Sequence, residues 1–123
     1  MPAEPRPTVR RVKTYTSSQG YVYQYYFVGK RAAISQPGVT EYIFDVSSDR
    51  KTTYSVSILL GVEALQQWAS AHGRSLTDAE QYGAVKLRLL QAFDEIENMM
   101  ENGRRLRLHA GALEELLSGL GVD

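Results

Sequence analysis

Two histidines, His72 and His109, are the only side chains of this sequence that titrate near neutrality without perturbation. Neither stands at a metal-ligand spacing from a second histidine or a carboxylate, and no His-Glu-x-x-His pattern occurs. His72 falls in the last turn of a helix predicted below, where an imidazolium would meet the carbonyl end of the helix dipole. It reads as a surface capping residue. His109, between Leu108 and Ala110, reads as a helix-boundary residue. The acidic cluster Asp94, Glu95, Glu97 and Glu101 offers more oxygen ligands. Glu97 and Glu101 share a helix face and repel each other unless a cation or an arginine joins them. A carboxylate-bridged metal centre also draws on a Glu-x-x-His element, which is missing, so a solvated helix face is expected.

Nucleophilic chemistry has as little footing. The chain has no cysteine, which excludes a thiol nucleophile, a disulfide framework and cysteine-ligated zinc or iron–sulfur centres. There is no Gly-x-Ser-x-Gly elbow, and Ser17, Ser18, Ser47 and Ser48 are turn residues by composition. Gly29-Lys30 lacks the glycine spacing of a phosphate-binding loop. No catalytic, cofactor-binding or metal residue is expected, and the chain reads as non-enzymatic. A small pocket enzyme or ligand-binding domain, with scattered residues between sheet and helices, stands as a rival because such a site leaves no local trace.

Tyrosine is the outstanding residue type. Eight occur, five of them between Tyr15 and Tyr26. Tyr21, Tyr23 and Tyr25, flanked by Arg10, Arg11, Lys13, Lys30 and Arg31, have the ingredients of a single-stranded nucleic-acid platform. Bases would stack on the rings, at about 1–3 kcal/mol each, while the cations hold phosphates. The competing expectation is that these rings pack under helices with their hydroxyls at the rim. No aromatic–glycine run of the kind RNA-binding sheets carry accompanies them.

Positioning these residues requires elements, and the hydrophobic rhythm supplies them. Residues 1–7, with Pro2, Pro5 and Pro7, read as a flexible lead-in, and residues 8–123 as one α+β domain. Alternation over Val9–Thr16, Tyr21–Val28, Thr40–Val46 and Thr52–Leu60 predicts a four-stranded antiparallel sheet over residues ~8–60. Residues 29–39 read as a loop. In the fourth segment Tyr54, Val56, Ile58 and Leu60 oppose a largely polar face, which fits a sheet covered on one side. After Gly61 the period becomes helical: Val62, Leu65, Trp68 and Ala69 predict one helix, stopped by Gly73. Thr77-Asp78-Ala79-Glu80 has the form of a capping box. It opens a predicted helix of about 25 residues with the stripe Tyr82, Val85, Leu89, Phe93, Ile96 and Met100. Arg104 to His109 alternates Arg and Leu and reads as extended. Leu113, Leu116 and Leu117 predict a short last helix. Two or three helices on one face of the sheet follow from this order.

Leu87, Leu90 and the Met99–Met100 pair widen the stripe beyond what one sheet face needs. That width predicts a homodimer through the helical layer, the commonest kind of assembly, and an adaptor-like role, with other protein partners open. Covering by the last helix would use the same residues without a second copy. Net charge is zero, but residues 1–60 carry eight Lys/Arg against four acids and residues 61–123 six against ten. The molecule is therefore electrically polarised. No segment reads as a secretion signal or a membrane span, and with no cysteine the cytoplasm is the expected compartment.

Overall fold

The computed structural model describes residues 11–123, so the expected lead-in, the start of the first strand and Arg10 lie outside the described residues. Five strands form one sheet in sequence order: β1 (Lys13–Thr16), β2 (Val22–Ala32), β3 (Val39–Ser47), β4 (Tyr54–Gly61) and β5 (Arg105–Leu108). The first three pairings are antiparallel, and β5 joins β4 in parallel. The α+β class holds, and the four-strand count does not. The Arg-Leu alternation at 104–108 had too few residues to distinguish a strand from a linker until β4 offered an edge.

Turn chemistry closes the hairpins. Gly20 sits at φ 89° and donates to the Ser17 carbonyl at 2.9 Å. Between β3 and β4 the Asp49 carboxylate accepts from the Lys51 and Thr52 amides, both at 2.8 Å. Strand β2 continues through residues expected to be loop. A bulge between Phe27 and Gly29 inserts Val28 and shifts the alternation by one, so Lys30 pairs with Tyr42 and Arg31 with Glu41. That shift hides the strand's second half from any period-two reading.

Helix α1 (Val62–His72) follows β4 directly and ends where Gly73 adopts φ 72°. Helix α2 (Asp78–Glu95) opens with the capping box: Thr77 Oγ1 accepts from the Glu80 amide at 3.1 Å, and the Glu80 carboxylate accepts from the Thr77 amide at 2.9 Å. The long helix expected to run to residue 102 is broken. Ile96 turns to φ −98°, ψ 116°, and the Asn98 side chain caps a new short helix, α3 (Met99–Asn102). The kink turns Met99 into the core at 2% exposure and leaves Met100 outside at 41%. A local cap overrides the stripe here. Helix α4 (Ala110–Gly119) contributes Leu113 and Leu117, both fully buried, and packs on α1 and α2.

The core lies between the helices and one face of the sheet. Tyr23, Tyr25, Tyr42, Phe44, Val46, Tyr54, Val56, Ile58, Leu60, Leu106 and Leu108 come from the strands, and Val85, Leu89 and Phe93 descend from α2. Helices on one face only is the pattern the alternation predicts, although on the other face Leu59 is itself 3% exposed.

Candidate functional site

The covered face accounts for most of the tyrosines. Tyr23 is 3% and Tyr25 5% exposed. The Tyr23 ring stacks on Phe93 with centroids 4.2 Å apart and planes within 6°, and Tyr25 tilts against Phe93 at 5.8 Å. Burial raises the hydroxyl pKa of Tyr23, Tyr25, Tyr42 and Tyr82. Two of the three rings offered to nucleic acid are therefore core, with no face open to a base; Tyr21, just before β2, is half-exposed. Arg11 and Lys13 are exposed, and Lys13 sits in register with Tyr25. Lys30 lies over the Tyr42 ring at 5.7 Å and 4.0 Å from Asp78. Arg31 points the other way and bonds Glu41. These residues do not converge on one surface.

Of the histidines and the acidic cluster, His72 and Asp94 hold elements together. His72 Nε2 lies 2.8 Å from Glu114, and its ring stacks on Trp68 at 4.2 Å, so it ties α1 to α4 rather than capping a surface. His109 is the N-cap of α4 and forms no side-chain cap bond. Asp94 is no mere solvated carboxylate. It accepts from the Tyr15 hydroxyl and the Ser18 amide, both at 2.8 Å, and clips the first hairpin to the end of α2. That bond raises the pKa of Tyr15. Among the described residues no three His, Asp or Glu side chains gather in a way that could hold a metal ion.

The uncovered sheet face carries the densest side-chain chemistry. Register lines up Arg31, Glu41, Leu59 and Arg107 in one row across β2 to β5, with Gly29, Ile43, Ser57 and Arg105 in the next. Glu41 is 6% exposed although it lies on this face. Ser57 Oγ donates to it at 2.6 Å and Arg31 Nε at 2.8 Å. Those two bonds, in that order, with Arg105 nearby, hold its pKa below the usual carboxylate range. Farther along the face the Tyr26 hydroxyl donates to Asp45 at 2.6 Å. Arg107 donates to Gln36, which ties β5 to the β2–β3 connection.

The sheet layer as a whole, both faces and connections together, gathers positive charge, of which Arg31, Arg105 and Arg107 stand on this face beside Glu41 and Asp45. Among the described residues the sheet and its connections carry nine Lys/Arg against three carboxylates, and the helical layer three against ten. Arg104, Arg105 and Arg107 make the split sharper in space than along the chain, because β5 returns them from the acidic half to the sheet. Sequence reading missed these arginines together with Glu41, Ile43 and Ser57. The Arg-Leu alternation was the available signal for the first group; nothing local marks the second.

A cleft of about 600 Å³ opens where β4 and β5 hand over to α1 and α4, lined among others by Gln36, Glu63, Gln67, Arg107 and His109. It lies at the end of the sheet, between strand ends and the first turns of α1 and α4. No described helix is long and apolar enough to cross a membrane. Comparisons with protein-family models, with curated proteins and with solved structures gave no match.

Proposed function

We propose that this chain is a non-enzymatic protein-interaction module that works as a homodimer through its helical layer. One observation carries the reading: the outer side of α2 keeps an apolar strip that its own chain does not finish covering. Gly83, Leu87 and Leu90 stand at i, i+4 and i+7 on that helix, and Leu87 and Leu90 are only partly buried. Leu120, 50% exposed, lies beside Gly83, where an added Cβ would touch its Cδ1 at 3.5 Å. Helix α4 takes up part of the expected width through Leu113 and Leu117. What is left is a narrow strip with Lys86 beside it, three residues from Gly83 and four from Leu90, and such a strip can pair with its own copy about a two-fold axis.

The nucleic-acid reading gains no comparable support, because Tyr23 and Tyr25 are under Phe93. A dimer would leave both sheet faces pointing away from the interface. Light scattering at micromolar concentration tests the proposal: a particle of twice 13.8 kDa is expected, and Leu87→Glu should reduce it to one chain while the circular dichroism spectrum is kept. A wild-type monomer over that range would remove the reading.

A further inference from the structure

We infer that the uncovered sheet face is a docking surface for an acidic amphipathic helix of a protein partner, a surface separate from the dimer strip. The argument starts from register. Arg31 on β2 and Arg107 on β5 occupy one row across the sheet, three strand spacings apart, or about 14 Å. Arg105 stands one row along on the same border as Arg107. Between the borders lie Glu41 and Leu59 in the first row, both nearly buried, and Ile43, partly exposed, with Ser57 in the next. The face is thus a shallow floor, with Ile43 and Leu59 beside the bonded Glu41–Ser57 pair at its centre and guanidinium groups at both borders. An α-helix is about 10–12 Å across with its side chains. A helix whose apolar stripe rests on Ile43 can place the carboxylates of one flank against Arg105 and Arg107, while its other flank passes over Arg31, which already pairs with Glu41.

Charge selects among occupants. Glu41 is already bonded by Ser57 and Arg31, so it offers a partner no ready acceptor, whereas the arginines of β5 remain in excess. A second copy of this chain is a poor occupant, because two-fold pairing sets a basic surface against itself. Single-stranded nucleic acid would find few rings here. Tyr26 is the tyrosine of β2 on this face, and its hydroxyl is engaged by Asp45.

The probe is a synthetic helical peptide with leucine at i, i+3, i+4 and i+7 and glutamate on both flanks, titrated into isotopically labelled full-length chain and followed by amide chemical shifts. Two further titrants are a peptide with lysine in place of glutamate and an oligothymidylate. The acidic peptide is expected to move resonances around Ile43, Ser57 and Leu59, with affinity that drops at least tenfold in Arg105→Glu and falls with salt. Arg107→Glu serves as a second variant should Arg105→Glu fail to fold. Shifts confined to the helical layer, equal binding of the lysine peptide, preference for the oligothymidylate, or indifference to both charge reversals would each overturn the inference. None of these results bears on the mass of the particle, so the dimer reading stands or falls separately.

Discussion

Glu80 shows how one side chain can serve two elements. Its carboxylate closes the α2 capping box on the Thr77 amide and receives both terminal nitrogens of Arg74, at 2.9 and 2.8 Å. Arg74 first, then the Thr77 amide, lowers its pKa to about 2 from the ordinary 4.5. Because the folded value is the lower one, Glu80's contribution to stability is present above about pH 4.5 and disappears as the pH falls toward 2. Wild-type chain should therefore lose more melting temperature between pH 6 and pH 3 than Glu80→Gln does; equal losses would show that the carboxylate is not held as described. The capping box was legible because it is a four-residue pattern with one physical purpose. The Arg74 contact was not, since it depends on how the chain turns after Gly73. Glu41 is a similar case, because its partners Arg31 and Ser57 lie ten and sixteen residues away and only strand pairing brings them together.

Elements are where local and long-range rules compete most openly. The switch from alternation to helical spacing at Gly61 is strong enough to place β4 and α1 from sequence, because each keeps one period over eight or more residues. Three features escaped for physical reasons. The Val28 bulge reverses the phase of β2, the Asn98 cap breaks a stripe that the apolar pattern alone would continue, and β5 is too short to declare itself without β4. The end of α2 also bears on the hairpin of β1 and β2, through Asp94. Asp94→Ala removes the acceptor for both the Tyr15 hydroxyl and the Ser18 amide and is expected to cost about 1–3 kcal/mol. Hydrogen exchange should accelerate at Ser18 and along β1 while the middle of α2 keeps its protection. Uniform acceleration through α2 would instead point to general unfolding, and the clip would lose its meaning.

At the scale of the whole molecule, two layers divide the labour. The helical layer covers the tyrosine-bearing face and keeps an apolar strip on its own outer side, and the sheet turns an arginine-bordered face outward. Sequence halves already hinted at this division through their opposite charges, but the return of β5 to the sheet was needed to concentrate it. Both proposed surfaces depend on which face of β2 is covered. Hydroxyl-radical footprinting read by mass spectrometry tests that point directly, and two adjacent methionines supply an internal control. Rapid labelling is expected at Tyr21 and Met100, which are 49% and 41% exposed, with strong protection at Tyr23, Tyr25, Phe93 and Met99. Rapid labelling of Tyr23 and Tyr25 in the folded chain, or of Met99 ahead of Met100, would contradict the account.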